Sequence, residues 1–251
     1  MKTTYRRLSL KILTGVFAVM CLPGAGHGTV HAGAPIIHTQ APGFYRTLVG
    51  DFTVTALSDG VNMRPVAQQL QLLQGDKAEI ETLLNRFHPD GQTASSANAF
   101  LIDTGAKLVL VDAGNGKMGS PTMGNVVGNL RAAGYQPENI DEIYLTHMHT
   151  DHVGGLISGE ERTFPNATVY ANRTEAEYWL SDSNLAAAPE AAKRTYLAAK
   201  AALTPYIDAG KFKTFDGNTG LIPGIRAEAA FGHTPGHTLY IVESKGETLV
   251  L

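Results

Sequence analysis

Thr146-His147-Met148-His149-Thr150-Asp151-His152-Val153-Gly154-Gly155 contains three imidazoles and a carboxylate within six positions. These side chains bind zinc, manganese, iron or cobalt ions at neutral pH. Residues 141–146 have the pattern of a β-strand, so His147 and His149, two positions apart, leave the end of that strand on the same side. The segment therefore predicts a metal site at a strand end, in which His147 and His149 share one ion.

A second ion is predicted beside the first. Gly154 and Gly155 allow a sharp change of chain direction. This change lets Asp151 and His152 approach the second ion from the side opposite His147 and His149. Two divalent ions close together lower the pKa of shared water toward neutrality and generate a hydroxide nucleophile. We expect zinc at both positions, with manganese, iron and cobalt as alternatives. We also expect Asp151 to receive or relay a proton in addition to binding metal.

Another histidine motif lies far downstream. Gly232-His233-Thr234-Pro235-Gly236-His237 follows a strand pattern, and its Pro-Gly turn presents His237 as a third imidazole for the first ion. For His233 we expect contact with the Pro-Gly turn instead of a metal ion. The predicted ligands are therefore, for the first ion, His147, His149 and His237, and for the second ion, Asp151 and His152.

The two histidine motifs together resemble those of the metallo-β-lactamase-fold hydrolases. The sequence also has Val111-Asp112-Ala113-Gly114 where that superfamily usually has Asp-Thr-Gly. Over residues 41–251 the chain is most similar to the branch that contains methyl parathion hydrolase and the quorum-quenching lactonases. The closer similarity lies in residues 41–46, 56–60, 133–138 and 242–244.

This resemblance implies an α/β (α+β) fold, a four-layer αββα sandwich, for a domain at residues 33–251. It also implies a metal-dependent hydrolase of ester-like bonds in a small molecule: a lactone, an aryl ester or an organophosphate triester. The superfamily pattern places a bridging Asp and a final His beyond the strand in which the sequence stops. We therefore expect a domain that is incomplete at its C-terminus and inactive as a fragment, and we expect the hydrolase activity of the full-length protein. The alternatives are a β-lactamase or another hydrolase of this fold, and a non-catalytic metal-binding protein.

Residues 1–32 have the features of a secretory signal peptide. Basic residues without any acid precede an apolar run at residues 12–22, and the small residues near position 32 suit cleavage. We therefore expect a periplasmic or secreted protein. Arg6 and Arg7 partly match a twin-arginine signal, so both that route and the ordinary secretory route are open.

The composition argues against nucleic-acid and membrane partners. Without the four basic residues of the signal peptide, 16 of the 20 Lys and Arg remain against 23 Asp and Glu. No basic stripe is present to bind a phosphate backbone. The apolar run is too short to span a bilayer and no later segment is long enough, so we expect no membrane insertion after signal cleavage. The oligomeric state is open, with a homodimer as one expectation.

Local patterns predict the elements around the site. One hairpin is expected at residues 44–57 and ends at Ser58-Asp59-Gly60, and another is expected around residues 103–105. Further helices are expected at residues 124–133, 174–181 and 189–203. One more helix has an apolar stripe, which we assign to the core: Ile80, Leu83, Leu84 and Phe87.

Two carboxylates outside the first motif are candidates for supporting the metal ligands from outside the ligand set. For Asp59, a turn position before Gly60 is favoured over a position that faces the ions. Asp112 ends a strand, where a carboxylate either caps a turn or hydrogen-bonds the outer nitrogen of a metal-bound imidazole. The resemblance favours the second role for Asp112.

Three residues are assigned to the substrate pocket from the resemblance. Trp179 and Tyr196 lie on predicted helices, where large aromatics are usually core residues, but the matching positions of the resembled branch line the pocket. Gly119 stands where that branch usually has an aromatic, which implies a roomier pocket suited to lactones or bulkier esters. Residues 114–119 also match Gly-x-Gly-x-x-Gly, but Ser120-Pro121 interrupts any following helix, so we expect a loop at the metal cleft and no dinucleotide site.

Overall fold

The computed structural model describes residues 41–251, which contain two large β-sheets and a short third one. The strands, in chain order, are β1 (Phe44–Val49), β2 (Phe52–Pro65), β3 (Gln92–Asp103), β4 (Leu108–Val111), β5 (Glu142–Tyr144), β6 (Ile157–Ser158), β7 (Glu161–Arg162), β8 (Thr168–Asn172), β9 (Phe212–Phe215), β10 (Thr219–Ile222), β11 (Ile225–Ala229), β12 (Thr238–Ser244) and β13 (Glu247–Val250). The predicted signal peptide at residues 1–32 lies outside the described residues, as do residues 33–40 of the predicted domain.

Helices connect many of these strands. In residues 41–251 they are α1 (Val66–Leu72), α2 (Lys77–Phe87), α3 (Val126–Ala132), α4 (Thr150–Val153), α5 (Arg173–Trp179), α6 (Asp182–Ala187) and α7 (Glu190–Asp208), with 3₁₀ turns at Pro137–Asn139 and Gly154–Leu156. None of these described helices combines the length and the apolar character needed to cross a bilayer.

The larger sheet has the strand order β1-β2-β3-β4-β5-β8-β9. Strands β1 to β4 pair antiparallel, whereas β4, β5, β8 and β9 pair parallel. The second sheet is antiparallel in the order β10-β11-β12-β13. Val111 and Tyr144 are register partners at the C-terminal ends of β4 and β5. The residues that follow them, Asp112 and the first histidine motif, therefore leave the sheet side by side.

One hydrophobic core lies between the two large sheets. Val109 and Val111 of β4 and Tyr144 of β5 pack there with residues of β11 and β12. On the other face of the larger sheet, Leu110 and Ile143 pack with residues of α3 and α7. Successive side chains of β4 thus point alternately into the two cores, as expected for a strand that is buried on both faces. The described residues thus form a helical layer and two sheet layers, and the predicted mixed α/β sandwich is confirmed.

The predicted end of the first hairpin at Ser58-Asp59-Gly60 is wrong. Strand β2 continues to Pro65 and pairs with β3, with a register shift between Ser58 and Gly60. At this shift Gly60 has a φ of 137°, which glycine adopts without steric cost. Asp59 turns inward and is fully buried. The Asp-Gly pair therefore forms a bulge inside a long strand instead of a turn.

The assignment of the α2 stripe to the core is also wrong. Helix α2 has no buried residue, and Leu83 and Phe87 expose 44% and 69% of their surface. The helix packs on α1, which in turn packs on β2 and β3, and neither core includes its stripe. Helical periodicity identified the helix and its apolar face, but it does not report how far the helix lies from the core.

Candidate metal centre

The chain leaves β5 and passes through His147 and His149 into the short helix α4. His149 is the N-cap residue of α4, and the 3₁₀ turn that begins at Gly154 follows the helix directly. A Cβ on Gly155 would lie 1.9 Å from the carbonyl oxygen of Ala113. Glycine is therefore required by the close approach of two backbones, and this approach holds α4 against the loop that follows β4.

Five imidazoles converge at this turn. The ring centre of His147 lies 4.6, 4.0, 4.7 and 5.0 Å from those of His149, His152, His233 and His237. His147 itself is buried. The structure thus brings together the four imidazoles that were predicted as ligands and a fifth, His233, that was not.

His233 groups more closely with the first motif than His237 does. The candidate ligand atoms of His147, His149 and His233 all lie within 4.8 Å of one another. His237 lies outside this group, with its ring centre 5.0 Å from that of His147. It stays the predicted third ligand of the first ion, and His233 is an additional imidazole at the cluster. Both histidines flank the Pro-Gly turn, and only the way in which the turn packs on the rest of the protein decides which ring faces His149.

Glu175 joins the two histidine motifs, and sequence reasoning missed it. Its buried carboxylate accepts hydrogen bonds from the N–H of Met148 at 3.0 Å, the N–H of Gly236 at 2.8 Å and Nε1 of Trp179 at 2.7 Å. Glu175 lies in the first turn of α5, just after the N-cap residue Asn172. An acidic residue in a first turn is ordinary helix chemistry, so its local pattern carried no signal of this second role.

Asp112 orients His152. One carboxylate oxygen of Asp112 lies 2.7 Å from Nδ1 of His152, and the carboxylate also accepts hydrogen bonds from the N–H of Thr146 at 2.9 Å and its hydroxyl at 2.8 Å. The other ring nitrogen of His152 lies 3.6 Å from Asp151. This is the arrangement expected of a carboxylate that fixes the outer nitrogen of a metal-binding imidazole.

The electrostatics of the cluster separate neutral from charged groups. Burial lowers the pKa of His147 and of His149, and neighbouring histidines lower both further. Burial acts in the same direction on His152, but the Asp112 and Asp151 carboxylates outweigh it and raise its pKa to about 10. Burial raises the pKa of Asp151, but the hydrogen bond with His152 outweighs it and lowers that pKa. Neutral imidazoles and a charged carboxylate are the forms that bind metal ions, so His147, His149 and Asp151 are in the binding form, whereas His152 has to release a proton when it binds an ion.

Asp59 directs its carboxylate to the backbone of the loop after β4. Its carboxylate accepts hydrogen bonds from the N–H of Asn115 at 2.9 Å and of Val126 at 3.3 Å. A Cβ on Gly114 would lie only 2.4 Å from the same carboxylate. Because both oxygens of Asp59 bond to this backbone, its role is to hold the loop after β4 and the start of α3.

The three predicted pocket residues divide between two cavities. Gly119 lines a cavity of about 590 Å³ together with Asp151. Trp179 and Tyr196 are buried and line a separate cavity of about 290 Å³. A Cβ on Gly119 would lie 2.3 Å from Oδ1 of Asn115. The space beside this glycine is therefore taken by the Asn115 side chain, which corrects the expectation that Gly119 simply leaves room in the pocket.

A family model described as the metallo-beta-lactamase superfamily matches residues 93–251. The match covers more than half of the chain and includes both histidine motifs. The chain belongs to the metallo-β-lactamase superfamily. The superfamily resemblance on the two motifs is thereby confirmed.

Two solved structures of similar proteins extend the comparison over most of the chain. The hydrolase AbOPH of the beta-lactamase superfamily is 36% identical, with a TM-score of 0.75 over 85% of this chain and 74% of that chain. AidC, a dizinc quorum-quenching lactonase in complex with a product, is 29% identical, with a TM-score of 0.72 over 83% of this chain and 73% of that chain. These similarities agree with the lactonase branch.

An N-acyl homoserine lactonase from Bacillus thuringiensis is 27% identical over 126 residues, which is 50% of this chain. In that comparison the chain spans 42% of the length of the lactonase. The same enzyme class thus recurs among curated proteins and among solved structures.

The donor set of this superfamily member fits a divalent metal ion. Nδ1 of His237 is buried without a hydrogen-bond partner among residues 41–251. Burial and the neighbouring histidines lower the pKa of His147, His149 and His237, so these rings are neutral. Imidazoles and one carboxylate are the ligands that such ions prefer at neutral pH. The residues therefore form a divalent-metal site.

Proposed function

We propose that the protein is an exported, metal-dependent hydrolase that cleaves ester-like bonds in small molecules, with lactones as the leading substrates. The observation that carries this proposal is the convergence of five imidazoles around His147, with Asp151 beside them. The similarity to AidC and to the lactonase from Bacillus thuringiensis supports lactones. Aryl esters and organophosphate triesters are further substrate classes.

The ligands divide into two sets. His147, His149 and His237 would hold one ion, and Asp151 and His152 would hold a second, while His233 lies beside the ligands of the first ion. A set of imidazoles with one carboxylate suits zinc, and manganese, iron and cobalt accept the same donors. When bound, the ions would supply water of lowered pKa and would polarise the bond to be cleaved.

The protein's own residues supply position and a proton acceptor. Asp112 fixes the ring of His152 through Nδ1, and Glu175 holds the backbone of both motifs. Asp151 lines the large cavity, and its lowered pKa keeps it ionised. A carboxylate at that place can accept a proton from water as the substrate bond is attacked and deliver it to the leaving group.

The substitution His149→Ala tests this function. We expect it to lower hydrolysis of a para-nitrophenyl ester and of an N-acyl homoserine lactone at least about hundredfold. Loss of a residue that only hydrogen-bonds a metal ligand already costs about 10–100-fold, and here the ligand itself is lost. The fold should persist, as followed by circular dichroism. His88→Ala, at the end of α2 and outside the cluster, should leave both rates unchanged.

Two results of that experiment decide against the proposal. Wild-type turnover by metal-loaded His149→Ala would remove this cluster from catalysis. Tight metal binding by the wild type without turnover of either substrate would identify a non-catalytic metal-binding protein.

Export rests on the signal pattern of residues 1–32. Cell fractionation of the tagged protein should find it in the periplasm or the medium, with the signal removed. Replacing both Arg6 and Arg7 by Lys should block export if the twin-arginine route is used and should leave it intact if the general route is used. Accumulation of uncleaved wild-type protein in the cytoplasm would contradict export.

A further inference from the structure

Two guanidinium groups line the same cavity as Asp151. Arg64 lies next to the last residue of β2 and Arg194 lies in α7, so the two arginines belong to distant segments of the chain. Nη1 of Arg64 donates to the side chain of Gln69 at 2.8 Å, and Nη2 of Arg194 donates to the carbonyl oxygen of Met118 at 3.0 Å. Each arginine therefore uses one nitrogen in a hydrogen bond within residues 41–251, and its other N–H groups can donate to a ligand in the cavity. Arg64 is half-buried and Arg194 is exposed.

The charge in this cavity is not balanced by the protein. Among residues 41–251, neither Arg64 nor Arg194 takes part in an ion pair. Asp151 is the one carboxylate among the residues that line the cavity, and the other lining residues are uncharged. Because Asp151 is proposed as a metal ligand, its charge is directed to the ion. The cavity therefore has an excess of positive charge in a chain whose net charge is −3.

We infer that the substrate carries a carboxylate on the part remote from the bond that is cleaved, and that Arg64 and Arg194 bind it. This inference rests on the proposed hydrolase function and, within its substrate class, it favours esters and lactones that carry a carboxylate over neutral ones such as N-acyl homoserine lactones. Arginine matches a carboxylate with parallel N–H donors. A volume of about 590 Å³ is that of a pocket for a small molecule and not of an extended groove for a polymer.

A pair of chromogenic esters tests the inference. The monoester of glutaric acid with para-nitrophenol carries a carboxylate at the end of its acyl chain, and para-nitrophenyl hexanoate is a neutral ester of similar length. We expect the metal-loaded wild type to have a kcat/KM about tenfold higher for the glutarate ester, since a hydrogen bond to a charged group contributes this much. Raising the salt concentration should reduce the ratio.

Substitutions at the two arginines should remove the preference. Arg64→Gln and Arg194→Gln should each lower the ratio of the two kcat/KM values about tenfold, mainly through KM for the glutarate ester. Arg194→Lys should retain part of the preference. Lys193→Gln is the control: Lys193 is the neighbouring cation, it pairs with Glu190 and does not line the cavity, so the ratio should stay at the wild-type value.

A binding measurement separates failure of the inference from failure of the proposed function. The monoanilide of glutaric acid has an amide in place of the ester, and we expect it to bind metal-free wild type about tenfold more tightly than Arg194→Gln. Equal binding, or a substrate ratio that the arginine substitutions leave unchanged, overturns the inference while metal-dependent hydrolysis of the hexanoate still supports the proposed function. If neither ester is hydrolysed, the proposed function fails, and the anilide alone decides whether the arginines bind a carboxylate.

Discussion

Gly236 packs directly against Glu175 at the start of α5. Its N–H donates to the Glu175 carboxylate at 2.8 Å, and a Cβ on Gly236 would lie 2.3 Å from the backbone nitrogen of Glu175. The second oxygen of the carboxylate accepts hydrogen bonds from Met148 and Trp179. One buried side chain therefore fixes both the turn before His237 and the backbone between the two histidines of the first motif.

Gly236→Ala should destabilise the protein and loosen the metal site. The added methyl group meets backbone atoms that cannot move independently, so we expect a loss of about 1–3 kcal/mol in the free energy of unfolding. Urea unfolding measures this loss, and a metal titration should show weaker binding. Gly128→Ala in α3, where a Cβ meets nothing within 4 Å, should instead stabilise the protein by about 0.5–1 kcal/mol. Equal stability of the two variants would contradict the close packing at Gly236.

Glu175→Gln should also destabilise the protein. An amide offers one acceptor oxygen where the carboxylate offers two, so at least one buried N–H loses its partner, at a cost of about 1–3 kcal/mol. Glu177→Gln on the exposed face of the same helix is the control and should be close to neutral. Unfolding midpoints in urea measure both changes. If the two variants unfold at the same midpoint, Glu175 does not join the motifs.

Asp112→Asn should weaken metal binding by about 10–100-fold. The amide either places its NH₂ group against Nδ1 of His152, which disturbs the ring's protonation, or places it against the N–H of Thr146. Competition with a chromogenic chelator measures the affinity. Asp103→Asn is the control and should leave the metal affinity unchanged. Asp103 ends β3, and its carboxylate accepts a hydrogen bond from Tyr135 at 3.2 Å. Unchanged metal affinity in Asp112→Asn would show that His152 needs no such support.

Gly119→Ala should be destabilising because of Asn115 alone. The added Cβ would lie 2.3 Å from Oδ1 of Asn115, and such overpacking costs about 1–3 kcal/mol. In an Asn115→Ala background the same substitution should cost almost nothing, so the two changes should be strongly coupled in a double-mutant cycle. Thermal and urea unfolding of the four proteins measure the coupling. Additive effects would contradict the contact.

The first metal motif could be predicted because its determinants are contiguous. His147, His149 and Asp151 follow one strand and enter one short helix, so strand geometry and residue chemistry place them together. How close His233 and His237 each lie to the first motif could not be predicted in the same way. It depends on the packing of Gly236 against a helix residue 61 positions earlier, a contact that no local pattern contains.

Two other errors have the same origin. Asp59-Gly60 has the composition of a turn, but pairing of β2 with β3 continues past it, and the pair becomes a bulge whose carboxylate bonds a distant loop. The α2 stripe has the period of a core helix, but the helix lies on α1, outside both cores. In each case tertiary contacts decide between two structures that the local sequence allows equally.

The most direct test of the account measures bound metal and hydrolysis in the same samples. The protein is stripped with a chelator, dialysed and titrated with Zn²⁺, and both metal content and the rate of para-nitrophenyl ester hydrolysis are recorded at each step. We predict no turnover above background without metal, and a rate that rises in proportion to bound zinc until the site is filled. Full turnover by the stripped protein, with no metal bound, would contradict the central claim.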